Sequence, residues 1–139
     1  MKTAGNVLVD TSVGVAYFRG EQDLRHRFNG IIPVCVPWVV LGELHFGAQR
    51  AQRRQQELSY VRDLLAYVEV LFADRETPEV YGEVKAELAS IGKLIPENDI
   101  MRFQFLRQWI AAMARQYDLP LATRDGQFDH VLRLTTPAW

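Results

Sequence analysis

The sequence has 139 residues, of which 48% are hydrophobic and 24% are charged, and its formal net charge is −1. This size predicts a single domain over residues 1–139, with one hydrophobic core. The lone Cys35 excludes an internal disulfide, no apolar run reaches the ~20 residues of a membrane span, and the charge excludes a domain that binds nucleic acid through overall basicity.

The first strand and helix of the chain are predicted at its N-terminal end. The segment NVLVD is a short apolar run that predicts a strand buried on both faces, and it ends on Asp10. The next residues predict a helix with Thr11 or Ser12 as its N-cap and Gly20 as its end. A short second helix is predicted over Glu21 to Phe28. Because no secretory signal precedes these elements, we expect a cytoplasmic protein.

The middle of the chain continues the alternation of strands and helices. The run IIPVCV predicts a second strand, and Pro37 suits the first turn of a helix through WVVLGELHFGAQRA that carries Glu43. The segment QQELSYVRDLLAYV predicts an amphipathic helix with Leu58, Val61, Leu65 and Val68 on one face. A third strand is predicted at VEVLFA.

The last part of the chain completes an α/β pattern. A helix is predicted over TPEVYGEVKAELASIG, ending at Gly92, and a longer one from Glu97 to about Asp118. The segment LPLAT predicts a fourth strand, and LRLTT is a candidate fifth. Strands that alternate with helices predict an α/β fold with a mostly parallel sheet, whose sites gather at the carboxyl ends of the strands.

Four acidic residues are candidates for one site at that edge of the sheet. Asp10 and Asp125 each follow a predicted strand, while Glu43 and Asp99 lie near the starts of helices. Carboxylates this close together need a compensating cation, and oxygen ligands favour Mg²⁺ or Mn²⁺. The three histidines show no zinc-ligand spacing. Such a site suits attack of an activated water on a phosphodiester.

Five segments carry a resemblance to a known family. They are VLVDTSVGVAYFRGE at 7–21, LGELHFGAQR at 41–50, IPENDI at 95–100, WIAAMA at 109–114 and LATRDGQFDHV at 121–131. In this order they resemble the PIN domain family, in particular the VapC-type toxins of type II toxin–antitoxin systems. The resemblance implies a PIN-like α/β/α sandwich with a central, mostly parallel sheet.

The resemblance also implies roles for individual residues. The four catalytic acids of the family match Asp10, Glu43, Asp99 and Asp125, and Asp10, Asp99 and Asp125 match its Mg²⁺ or Mn²⁺ ligands. Neighbouring positions that support the ligands match Thr11, Ser12, Thr123 and Asp129. The implied activity is endoribonuclease cleavage of RNA, often tRNA. The implied partners are a VapB-like antitoxin and a second copy of the chain in a homodimer.

One departure from the family pattern concerns the third acid. Eight residues, Met101 to Gln108, separate IPENDI from WIAAMA, which directly follow one another in the family. In one arrangement the longer helix still brings Asp99 over the site. In the other, counting back from Trp109 puts Arg107 at the position of the third acid, where its guanidinium would pair with the remaining acids and displace the metal. The chain would then be a silent PIN-fold module that dimerises and binds an antitoxin.

The same residues bear on three other functions. A phosphatase of the haloacid dehalogenase type needs a second acid two residues after the first, where this chain has Ser12. A receiver domain needs a late Lys that LPLATRD lacks. A nuclease that acts on DNA or on a broader RNA pool stays open.

Overall fold

The computed structural model describes residues 6–18, 20–26, 33–92, 101–131 and 134–136. Its centre is a parallel sheet of four strands in the spatial order β3-β2-β1-β4. The strands are β1 (Val7–Val9), β2 (Val34–Pro37), β3 (Val68–Leu71) and β4 (Leu121–Ala122). The α/β fold class and the parallel sheet predicted from the sequence are therefore confirmed.

The two central strands are buried on both faces of the sheet. Every residue of β1 and β2 is buried, although successive side chains along a strand point to opposite faces. Leu8 pairs with Cys35 on one side and with Leu121 on the other. Both faces of the sheet must therefore be covered, as expected when helices connect parallel strands.

Six α-helices accompany the strands in the described part of the chain. They are α1 (Thr11–Phe18), α2 (Gln22–His26), α3 (Trp38–Arg50), α4 (Arg54–Leu64), α5 (Thr77–Ser90) and α6 (Met101–Tyr117), and a short 3₁₀ helix follows at Gly126–His130. Helix α3 packs along α4, and α5 packs along α6. No helix among the described residues combines the length and apolar character that a membrane crossing requires.

The second half of α6 lies deep in the core. Ala111, Ala112 and Met113 have no exposed surface, and Ile110 and Ala114 are almost as buried. Because five consecutive helical residues face all directions around the helix axis, this stretch is enclosed on every side. The rotation of α6 about its axis is therefore fixed, and so is the direction in which the preceding turn points.

Two local expectations from the sequence differ from the structure. The N-cap of α1 is Asp10 and not Thr11 or Ser12, because the Asp10 carboxylate accepts the backbone N–H of Val13. Helix α4 ends at Leu64, which is buried in the place expected for Leu65 on the apolar face, and Leu65 is exposed because the chain turns there.

The candidate fifth strand does not form over the residues that are described there, 134–136. The backbone N–H of Leu121 nevertheless donates to the carbonyl of Thr135 at 2.7 Å. The start of the predicted second strand, at Ile31 and Ile32, and the predicted helix start at 97–100 lie outside the described residues.

A hydrogen-bond network around the buried Thr77 joins the start of α5 to α6. The Thr77 hydroxyl donates to Gln116 Oε1 at 2.6 Å and accepts the backbone N–H of Asp74 at 2.9 Å. Asp74 Oδ1 accepts the backbone N–H of Glu76 and the side-chain amide of Gln116, both at 2.8 Å. These bonds, the backbone one foremost, hold the pKa of Asp74 below its ordinary value.

Replacement of Thr77 should show the contribution of this network to stability. Thr77→Val keeps the volume of this fully buried residue but removes its hydrogen bonds to the Asp74 N–H and to Gln116 Oε1, so we expect a loss of about 0.5–1.5 kcal/mol in the free energy of unfolding. Thr77→Ser keeps the hydroxyl and should lose less. Urea denaturation followed by circular dichroism measures both, and equal losses would show that the hydroxyl contributes nothing.

Candidate active site

Two adjacent parallel strands deliver acidic residues to the same edge of the sheet. Asp10 directly follows β1, and Asp125 follows β4 by three residues. The strands pair through Val9 and Ala122, and the backbone N–H of Asp10 donates to the Ala122 carbonyl at 3.2 Å. Because parallel strands end at the same side, these acids meet there, as the sequence predicts.

Asp10 is the most enclosed acid of this edge, with only 3% of its surface exposed. Oδ1 accepts the hydroxyl of Ser12 at 2.6 Å and the backbone N–H of Val13 at 3.0 Å. Oδ2 accepts the hydroxyl of Thr123. Three donors from two chain segments therefore compensate for its burial and fix the direction of its carboxylate.

The same hydroxyls also hold the loop that carries Asp125. The Ser12 hydroxyl accepts the backbone N–H of Arg124 at 3.2 Å, and the Thr123 hydroxyl accepts the backbone N–H of Asp125 at 3.0 Å. The loop after β4 is thereby tied to the turn between β1 and α1. Ser12 and Thr123, which the family resemblance marks as supporting residues, lie where such a role requires.

A cleft of about 410 Å³ lies above this edge of the sheet. Its wall includes Glu43 from α3, which is half-buried, besides Asp10 and Asp125. The full lining comprises Asp10, Thr11, Ser12, Val15, Glu43, Leu106, Arg107, Ile110, Asp125 and Phe128. Three of the four predicted acids thus share one cleft, and its apolar wall was not predicted from the sequence.

Arg107 of α6 reaches into this cleft and pairs with Asp125. Its Nε donates to Asp125 Oδ2, and the side chains of Arg107 and Asp125 are 30% and 24% exposed. Leu106 and Ile110 on the same helix also line the cleft. Counted back from Trp109, Arg107 is the residue that the alternative alignment puts in place of the third acid, and it lines the cleft.

Three further predicted site residues remain, namely Asp99, Asp129 and Thr11. Asp99 lies outside the described residues, so its role stays a prediction. Asp129 is exposed in the 3₁₀ helix, and the described cleft lining does not include it. Thr11 lines the cleft.

An ion pair beside the cleft was not predicted from the sequence. Both guanidinium nitrogens Nη1 and Nη2 of Arg124 donate to the carboxylate of Glu21, with the Nη1 contact at 2.9 Å. This contact lowers the pKa of Glu21 and raises that of Arg124. The two residues are 103 positions apart and lie in different motifs, so no local pattern in the sequence pairs them.

The three carboxylates suit a hard divalent cation in their chemistry. Asp10, Glu43 and Asp125 offer oxygen ligands only, which Mg²⁺ and Mn²⁺ prefer. Their arrangement is less favourable for a metal ion, because the guanidinium of Arg107 pairs with Asp125. Among the described residues, no group of three or more His, Cys, Asp or Glu side chains is disposed to hold a metal ion. The chemistry of the donor set therefore fits a hard divalent cation, while in the described arrangement Asp125 is paired with Arg107.

Comparison with known proteins identifies the family. The profile described as "PIN domain" matches residues 7–134, which is nearly the whole chain. The chain belongs to the PIN domain family. Its parallel sheet with helices on both faces is the PIN fold that the sequence motifs imply.

Named relatives of this PIN domain are nucleases. "Ribonuclease VapC2" of Haemophilus influenzae is 30% identical over 135 residues, which are 95% of this chain and 96% of the relative. "tRNA(fMet)-specific endonuclease VapC" of Shigella flexneri is 27% identical with the same coverage. DNA-bound VapBC from Salmonella typhimurium contains a chain with the same fold, at a TM-score of 0.82 and 22% identity, over 96% of this chain and 98% of that one.

Proposed function

We propose that this PIN domain is an endoribonuclease, the toxin of a type II toxin–antitoxin pair, which a cognate VapB-like antitoxin neutralises. The observation that carries the proposal is the cleft in which Asp10, Glu43 and Asp125 converge at the carboxyl edge of the sheet. Relatives named as ribonucleases over nearly the full length support the same reaction. The reaction is hydrolysis, in which water attacks the phosphorus and one P–O bond of the RNA backbone breaks.

The proposed cofactor is Mg²⁺ or Mn²⁺, and Asp10, Glu43 and Asp125 are the proposed residues that hold it. When bound, such an ion lowers the pKa of an attacking water and stabilises charge on the phosphoryl oxygens. Ser12 and Thr123 hold the Asp10 carboxylate in one orientation, so that it need not reorganise when the substrate arrives. Asp99, the third acid of the family pattern and a predicted metal ligand, completes the four acids proposed for the site.

The partners and location of the proposal follow from the same family. We propose a VapB-like antitoxin, a homodimer and an RNA substrate, with tRNA as the first candidate because one relative is named for tRNA(fMet). The cytoplasm, where such RNA is found, is the proposed location. DNA is the alternative substrate and serves as a comparison in the assay.

A second candidate function has its own supporting observation. The contact between Arg107 and Asp125 puts a positive group inside the acidic cleft. If this contact persists under all conditions, the chain keeps its fold and its partner-binding surfaces but cuts no RNA. It would then be a silent PIN module that dimerises and binds an antitoxin.

An RNA cleavage assay distinguishes the two candidates. The purified chain is incubated with total tRNA, ribosomal RNA and single-stranded DNA, in Mg²⁺, in Mn²⁺ and in excess EDTA. We expect cleavage of RNA in either metal, and at least a 100-fold slower reaction in EDTA. A folded protein that cuts none of the three substrates in either metal would contradict the proposed nuclease and favour the silent module.

A further inference from the structure

The cleft contains its own cation. Asp10, Glu43 and Asp125 bring three carboxylates into one cavity, and the guanidinium of Arg107 enters the same cavity to pair with Asp125. A guanidinium stays charged at every pH a protein tolerates, so its positive charge is a constant property of the cleft. Part of the negative charge that would attract a metal ion is therefore already compensated.

The packing of helix α6 fixes the Cα of Arg107 at the edge of the cleft. The stretch Ile110–Ala114 is enclosed on all sides, so α6 cannot rotate without exposing apolar surface and opening the core. Residues at i and i+3 lie on the same helix face, and Ile110 lines the cleft together with Leu106. The Cα of Arg107 is thus fixed at the cleft, while its long side chain is 30% exposed and borders solvent.

We propose that Arg107 is the resident counter-ion of the cleft and competes with divalent metal for Asp125, so that metal binds only when the guanidinium moves away. This inference rests on the proposed nuclease site, because the metal in question is the one that site would take. A divalent ion and a guanidinium close together on the same carboxylates repel each other. The metal affinity of the chain is therefore lower than its three carboxylates alone would give.

The competition can be measured without any RNA. Electron paramagnetic resonance of free Mn²⁺ gives the dissociation constant of the full chain and of three variants, Arg107→Ala, Arg107→Lys and Arg62→Ala. We expect Arg107→Ala to bind Mn²⁺ at least about tenfold more tightly, because the competing charge is gone. Arg107→Lys keeps the positive charge and should stay within about threefold of the wild type.

Arg62→Ala is the matched control for overall charge. Arg62 is an exposed residue of α4, and its replacement removes the same unit of charge from the protein. It should leave the Mn²⁺ dissociation constant within about twofold of the wild type. If Arg62→Ala and Arg107→Ala bind Mn²⁺ more tightly by the same factor, the effect depends only on the net charge of the protein, and the proposal is overturned.

Arg107→Asp tests whether position 107 corresponds to the third acid of the family pattern. The new carboxylate should tighten Mn²⁺ binding further than Arg107→Ala does. Should the Asp variant fail to fold, as circular dichroism would reveal, the Ala and Lys variants still decide the question. Unchanged Mn²⁺ affinity in Arg107→Ala, combined with weakened binding in Asp99→Asn, would assign the third acid to Asp99 and overturn the proposal.

The same proteins separate this inference from the proposed function. If the wild type cuts RNA and Arg107→Ala binds Mn²⁺ more tightly, both stand. If the wild type cuts no RNA but Arg107→Ala still gains Mn²⁺ affinity, the nuclease proposal fails while the role of Arg107 stands. RNA cleavage with unchanged Mn²⁺ binding in Arg107→Ala would support the nuclease and overturn the counter-ion.

Discussion

Asp10→Asn is expected to slow RNA cleavage at least about 100-fold while the protein remains folded. The carboxylate is 3% exposed and faces the cleft from the end of the central strand β1. The amide has almost the same shape, so the hydrophobic core is not disturbed, but it lacks the negative charge needed to hold a divalent cation, and its NH₂ group makes the Thr123 hydroxyl an acceptor at this contact. Its oxygen still accepts the Val13 N–H that starts α1.

The control for this variant is Asp63→Asn, the same change at an exposed residue of α4. Single-turnover cleavage of tRNA in Mn²⁺ measures all three proteins, and thermal unfolding verifies that each is folded. The control should cleave at the wild-type rate. Cleavage by Asp10→Asn at more than about a tenth of the wild-type rate would remove Asp10 from the proposed catalytic residues.

Leu8→Ala is expected to destabilise the protein by about 2–5 kcal/mol, a large part of the 5–15 kcal/mol by which proteins of this kind are stable. Leu8 has no exposed surface and lies in β1, between β2 and β4. The surrounding backbone is fixed by hydrogen bonds to both neighbouring strands and cannot collapse around the lost atoms. A cavity remains, and its cost adds to the lost burial of the side chain.

Leu65→Ala provides the matched control, because it removes the same atoms from a leucine that is 40% exposed at the end of α4. We expect it to cost less than about 1 kcal/mol. Urea denaturation monitored by circular dichroism and by tryptophan fluorescence gives both values. Similar losses in the two variants would show that β1 is not the tightly packed centre that its burial indicates.

The sequence was sufficient for the strands and for two of the acids. Short apolar runs that end on Asp10 and precede Asp125 indicate buried parallel strands, and parallel strands bring their carboxyl ends together wherever the helices lie. Glu43 could be placed because its helix starts at the same edge, directly after β2. These inferences depend on chain order and side-chain periodicity, which are local properties.

The sequence was not sufficient where two registers of one helix were possible. The eight residues before Trp109 allowed either Asp99 or Arg107 at the cleft. The position of Arg107 at the cleft depends on the burial of Ile110–Ala114, a tertiary property that no local pattern contains, and the role of Asp99 stays a prediction. The error at Leu65 has a similar origin, because periodicity shows an apolar face but not the residue at which the chain leaves the helix.

The hydroxyls of Ser12 and Thr123 give the cleft a directional chain of hydrogen bonds. Each hydroxyl has one proton, which it donates to Asp10, and uses a lone pair to accept a backbone N–H from the loop of Asp125. If the group at position 10 itself donated a hydrogen bond, one of the two hydroxyls would have to accept that bond and direct its proton elsewhere. The geometry of the loop that carries Asp125 is thus coupled to the negative charge on Asp10, a neighbour in space from the opposite end of the chain.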